Sequence, residues 1–208
     1  MPKKHIIVIH GGSCWKTHAE YLADLRQTKF VTGFYPRAGW HKNLQKDLGA
    51  GYQVILPDMP NWQNSRYEEW KIWFEKALAV SGADPVVVGH SLGGIFLSKY
   101  FSETTNPPTV RAVLLVAAPY QTAAQDPDFG NFAMKREPKR LGTLGLNLRL
   151  YHSTDDPIVA FTDLKKYQKA IPTAVINKYT NRGHFIGNHF PEIVTDIKSI
   201  FNPHRSPP

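Results

Sequence analysis

Short apolar runs alternate along this chain with longer stretches in which apolar and polar residues are mixed. Runs rich in β-branched residues recur at 6–9, 53–56, 85–88, 110–116, 147–151 and 174–179. Runs of that length read as strands, and helix-length segments between most of them predict a largely parallel sheet with helices on both faces. The segment Val113-Leu114-Leu115-Val116-Ala117-Ala118 is apolar at every position. It suits a central strand covered on both sides.

The clearest helix pattern begins near Ser65. Ser65 and Glu68 have the spacing of a capping box, and Tyr67, Trp70, Phe74, Ala77 and Leu78 fall on one face, so its tryptophans read as core. Thr17 and Glu20 mark a second start, with Tyr21, Leu22 and Leu25 as the apolar stripe. Further helices are expected over 162–170, ended by Pro172, and over 191–201, where Pro191 suits the first turn. Two connections lack strong periodicity. Residues 30–40 and 120–145 are expected to be loops over a pocket, and 202–208 a frayed tail.

With 208 residues, of which 42% are hydrophobic and 20% charged, the chain is long enough for one substantial core and short for two. A single domain over 1–208 is expected. The basic start is followed by only four apolar residues, too few for a signal-peptide core. No later run approaches the ~20 apolar residues of a membrane span. Cys14 is the only cysteine, so an internal disulfide and a cysteine-built metal site are excluded, and a reducing, cytoplasmic address is expected. The net charge of +8 is densest at 135–140. Without zinc-finger spacing, an aromatic-basic run or a Gly-rich phosphate loop, that cluster reads as solvated surface, and neither nucleic acid nor membrane is an expected partner.

Candidate chemistry centres on Gly89-His90-Ser91-Leu92-Gly93, which stands between an apolar run and a helical stretch. Gly-x-Ser-x-Gly in that setting is a nucleophile elbow, holding a serine at the tip of a sharp turn. A hydroxyl needs a base, a group to orient that base, and donors for a developing oxyanion. The partners are sought in the order Ser, acid, His. His184 follows the last strand within Asn181-Arg182-Gly183-His184-Phe185 and is the candidate base, with His189 as the fallback. The acid is sought at the end of the preceding strand, where Asp155 and Asp156 compete. Asp156 is preferred to orient His184, and Asp155 to hydrogen-bond the loop. For the oxyanion the backbone N–H groups of Leu92 and Gly12 are the candidates, with His10 stabilising the glycine loop. His18, His41, His152 and His204 read as structural. Trp15, Phe34, Trp62 and Phe185 are candidates either to line the pocket or to fill the core.

These motifs together, Val-Val-Val-Gly-His-Ser-Leu-Gly-Gly at 86–94, Ser-Thr-Asp-Asp-Pro at 153–157 and Gly-His-Phe at 183–185, resemble the α/β-hydrolase superfamily. The similarity is greatest to its small serine hydrolases of the retinoblastoma-binding protein 9 and YdeN-like family. It implies a three-layer α/β-hydrolase fold with a sheet of about six strands, little or no cap domain, Asp156 as the acid, and no metal or cofactor. Two departures stand out. More than forty residues separate the first run from Gln53, which is long for that family, and its Leu-x-Cys-x-Glu motif is absent, so retinoblastoma protein is not carried over as a partner. The expected activity is cleavage of a small ester, or of an amide or thioester, through an acyl-enzyme. The alternative is a catalytically silent binding or regulatory protein on the same fold.

Overall fold

The computed structural model describes residues 2–29, 39–124 and 129–203. Most of the expected 30–40 loop, Phe34 within it, and the tail from residue 204 lie outside the described residues. Six strands form one sheet: β1 (Lys4–Ile9), β2 (Tyr52–Ile55), β3 (Val86–His90), β4 (Ala112–Val116), β5 (Asn147–Ser153) and β6 (Val175–Tyr179), in the order β2-β1-β3-β4-β5-β6. Every pairing is parallel. The helices are α1 (His18–Gln27), α2 (Trp40–Leu48), α3 (Tyr67–Val80), α4 (Leu92–Glu103), α5 (Phe161–Ala170) and α6 (Pro191–Phe201).

Side chains alternate across a strand, so each strand supplies both faces of the sheet. Ile7 and Ile9 join a core with Trp70, Phe74, Phe96 and Tyr100 from α3 and α4. Ile6 and Val8 join the opposite core with Trp40 and Leu44 from α2 and Ile193 and Ile197 from α6. The strand order reverses at β1, with β2 on one side and β3 on the other. In parallel sheets the crevice at such a switch point, beyond the carboxyl ends of the strands, is where ligands bind. Register does the rest. Ile9 pairs with Gly89, bringing the 10–13 loop beside Ser91, and Ser153 pairs with Tyr179, bringing the loops bearing Asp156 and His184 together.

Several local expectations are corrected. Thr17 and Glu20 form the capping box of α1, yet none of the residues of α1 is buried, and Leu25 is 43% exposed. At α3 the residue before the helix is Arg66, with no side-chain cap. Ser65 instead donates its hydroxyl to Trp62 O at 3.1 Å and its amide to Ser13 O at 2.8 Å, while Asn131 Oδ1 accepts from Tyr67 N at 3.0 Å. The serine is spent on closing a turn, and a distant asparagine caps the helix. Of the two tryptophans on α3 only Trp70 is core, since Trp73 is 41% exposed. Helix α2 has no counterpart in the periodicity. It opens from Gly39 without a capping side chain, and its stripe of Trp40, Leu44 and Leu48 is too short to stand out.

Within the expected 120–145 loop, the described residues 120–124 and 129–145 form a packed wall. It carries two 3₁₀ turns, Gly130–Phe132 and Pro138–Thr143, and buries Tyr120, Phe132, Met134 and Leu141. Several of its anchors involve α4. Lys99 Nζ donates to Asn131 O at 2.8 Å and Ala133 O at 2.7 Å, and burial lowers the pKa of this ammonium. Arg140, from the basic cluster, donates to the carbonyls of Ser102, Thr104 and Thr105 at the end of α4. Acceptors there have no helical partners, and a cation is favoured by the dipole. Asn202 is likewise held, accepting from Lys4 Nζ at 2.6 Å. No helix among the described residues is long and apolar enough to cross a membrane.

Candidate active site

Ser91 sits between β3 and α4 at φ 55° and ψ −121°, a backbone conformation that costs a non-glycine residue strain of about 1–3 kcal/mol. What holds it there is close approach on all sides. A Cβ on Gly89 would overlap the carbonyl of Gly93, one on Gly93 would overlap the carbonyl of Ile9, and one on Gly94 would lie 2.5 Å from Ala118 Cβ. The Ser91 amide donates to Val116 O at 2.9 Å. Leu92 opens α4, where the first N–H groups have no helical acceptor and carry the positive end of the dipole.

The 10–13 loop is fixed from the other side. His10 Nε2 accepts from Met59 N at 3.0 Å, which places its proton on Nδ1, 2.6 Å from Gly11 O. The residue whose bare α-carbon faces the serine is Gly11, where a Cβ would lie 3.1 Å from Ser91 Cβ. Gly12 turns its own bare face to the protein: a Cβ there would lie 2.6 Å from Trp62 O. Its contribution to space is therefore against the 62–65 turn, whereas the sequence favours Gly12 for the room a glycine leaves a substrate. Gly12, Ser91 and Leu92 line one cavity of about 560 Å³, with Trp15, Phe129 and Val159 among its walls. Of the other aromatic candidates, Phe185 is buried in the core beneath α2 and α6, and Trp62 packs, partly buried, against the opposite core.

The side chain of Asp156 is fully buried and that of His184 nearly so. His184 Nδ1 lies 2.9 Å from Asp156 Oδ2 and 3.1 Å from Oδ1. Asp156 Oδ1 also accepts from Ile158 N at 2.8 Å and Val159 N at 3.0 Å. Burial works against ionising this carboxyl, but the hydrogen bonds from His184, Val159 and Ile158 outweigh it and hold it below the usual carboxylate range. With Nδ1 on the carboxylate, the basic lone pair of His184 is on Nε2. Asp155 accepts from the Ser153 hydroxyl and, at 3.0 Å, from Gly183 N, so it holds the loop. His189, exposed, pairs with Asp47.

The structure thus joins Asp156 to His184, and Ser91 to the Gly12 and Leu92 cavity. The link between the two halves runs through His90, whose ring centroid lies 5.0 Å from that of His184. Among the described residues no hydrogen bond connects Ser91 Oγ to His184; in proteins without substrate such contacts are commonly long and tighten on binding. Burial, and then the neighbouring imidazoles of His41 and His184, keep the pKa of His90 well below that of an ordinary histidine.

A six-stranded parallel sheet, helices on both faces and a serine at a strained strand-to-helix turn define an α/β-hydrolase fold. The chain belongs to the serine hydrolase family, whose model matches residues 30–189. It is 27% identical over 170 residues to the serine hydrolase RBBP9 of Rattus norvegicus, covering 79% of this chain and 88% of that protein. Its fold is similar to that of the ydeN gene product from B. subtilis, with TM-score 0.73 at 20% identity over 96% of this chain and 99% of the other. An esterase domain from Rhodothermus marinus aligns with TM-score 0.60 at 15% identity, over 98% and 86%.

Proposed function

We propose that this serine hydrolase cleaves a small carboxylic ester, with amides or thioesters as further substrates, through an acyl-enzyme built on Ser91, His184 and Asp156. The observation that carries this reading is the buried Asp156–His184 pair at the same end of the sheet as an elbow serine whose cavity also reaches Gly12 and Leu92. Ser91 Oγ attacks the ester carbonyl as His184 Nε2 takes its proton. Asp156 fixes the imidazole and supports its positive charge. The N–H groups of Leu92 and Gly12 receive the oxyanion, which then collapses, expelling the alkoxide with the proton from His184. Water, deprotonated by the same imidazole, releases the acid and restores the serine. The cavity admits an acyl group of modest size between Trp15, Phe129 and Val159. A cytoplasmic address belongs to this reading too, on the single cysteine.

The test is a panel of p-nitrophenyl esters graded by acyl length, run with wild type and Ser91→Ala. Loss of the nucleophile lowers kcat by at least ~10³-fold with the fold intact by circular dichroism. Equal cleavage by both proteins, or a folded wild type that neither turns over nor reacts with a fluorophosphonate, defeats the proposal.

A further inference from the structure

The loop bearing His184 is gripped from outside by groups that the reaction above does not use. His90 Nε2 lies 2.8 Å from the carbonyl of His184 itself, and Trp40 Nε1 donates to the next carbonyl, Phe185 O, at 2.9 Å. The backbone N–H of Trp40 donates to Gly187 O at 2.8 Å, and Asn43 Nδ2 to Asn188 O at 2.9 Å. Four carbonyls of the stretch 184–188, which an exposed loop would leave to water, are thus taken by the end of β3 and the start of α2. Both His90 and Trp40 are buried, with their rings 6.1 Å apart edge to face. Contact is direct enough that a Cβ on Gly39, at φ 74°, would lie 2.7 Å from Ile186 O and 2.8 Å from Gly187 O.

The chemistry gives this grip a purpose. An imidazole that passes a proton must keep Nδ1 on Asp156 while Nε2 meets a hydroxyl on a different strand, and misplacement by about 1 Å can cost two orders of magnitude in rate. Asp156 controls the ring's direction but not the depth of the loop. His90 adjoins Ser91 in sequence, so its bond to His184 O ties the nucleophile's strand to the backbone of the base. Trp40 fixes the same loop one residue on, from a helix in the long β1–β2 connection.

We infer that His90 and Trp40 are positioning residues that set where His184 stands relative to Ser91. This rests on His184 being the base, as proposed above. Three variants test it: His90→Leu, which removes the donor; His90→Gln, which keeps an amide donor; and Trp40→Phe, which removes one N–H and keeps a ring. Each is assayed for kcat and KM with p-nitrophenyl acetate. On the resting proteins, the low-field proton resonance of His184 Nδ1–H reports the bond to Asp156 without any turnover. His90→Leu and Trp40→Phe are expected to lower kcat about tenfold or more with KM within about twofold, and to broaden that resonance through faster exchange. His90→Gln recovers most of both. Wild-type kcat and an unchanged resonance in folded Trp40→Phe and His90→Leu overturn the inference. Should His90→Leu not fold, Trp40→Phe decides by the same criteria. A wild type without esterase activity defeats the ester reading alone, because the resonance still decides whether the grip orders His184.

Discussion

The two halves of the candidate site are built by different physics. The elbow around Ser91 is made by exclusion: Gly89, Gly93 and Gly94 let strand, turn and helix approach until no Cβ would fit. The His184 loop is made by attachment. Its own glycine, Gly183, has no atom within 4 Å of where a Cβ would stand, and its shape depends on donors and acceptors reaching in from His90, Trp40, Ser153 and Asp155. A turn made by exclusion is written in adjacent residues. A loop made by attachment is written all over the chain.

The contrast can be broken at its strongest point by Asp156→Asn. An amide in place of the carboxylate still accepts from Ile158 N and Val159 N, but it no longer holds His184 in the tautomer with the proton on Nδ1. A loss in kcat of about 10³–10⁴ is expected, measured on a p-nitrophenyl ester beside the wild type. Asymmetry between the glycines comes next. Gly93→Ala drives a methyl into the carbonyls of Ile9 and His10 and is expected to cost about 1–3 kcal/mol. Gly183→Ala meets open space and has only its φ of 51° to bear, about 1 kcal/mol. Thermal melts of the pair sharpen the comparison, since ~1 kcal/mol moves a domain of this size by roughly 2–4 °C. Equal losses would mean that the elbow is no tighter than the loop.

The smallest effect is one of pH. The native pKa of His90 is depressed, so the folded chain binds fewer protons than the unfolded one once the pH falls below about 6.5. The stability contributed by its neutral form is complete above that value. It drains as the pH falls toward the native pKa, by at most ~1.4 kcal/mol per pH unit. Urea melts at pH 7.5 and 5.5 are expected to show a steeper loss for wild type than for His90→Gln. The same slope in both would place the titration elsewhere.

Legibility follows the same division. The strands at 6–9 and 174–179 were bounded by sequence within two residues of the observed Lys4–Ile9 and Val175–Tyr179, because a β-branched run between polar segments is a local signal. The strained turn at Ser91 was equally readable from its flanking glycines. Helix α2 was not, since it follows a glycine that supplies no capping side chain and shows three apolar positions in nine residues. Nor was the Asn131 cap on α3, where Ser65 offered a closer and misleading candidate. Trp40 and His90 could have been suspected only as large or titratable residues near motif positions; what they do depends on partners 145 and 94 residues away in the chain. The described parts of the 120–145 wall are held partly through main-chain groups, by Lys99 on the carbonyls of Asn131 and Ala133 and by Arg140 on those at the end of α4, and a carbonyl has no letter in a sequence.

Lys99 carries one consequence further. Its ammonium grows from the same helix that Ser91 begins, and it clasps the backbone that follows Phe129, a lining residue of the cavity. The helix that Ser91 begins is thereby tied to the carbonyls of Asn131 and Ala133, two turns behind the serine. Ile158, which lines the same cavity two residues beyond Asp156, is by contrast 69% exposed.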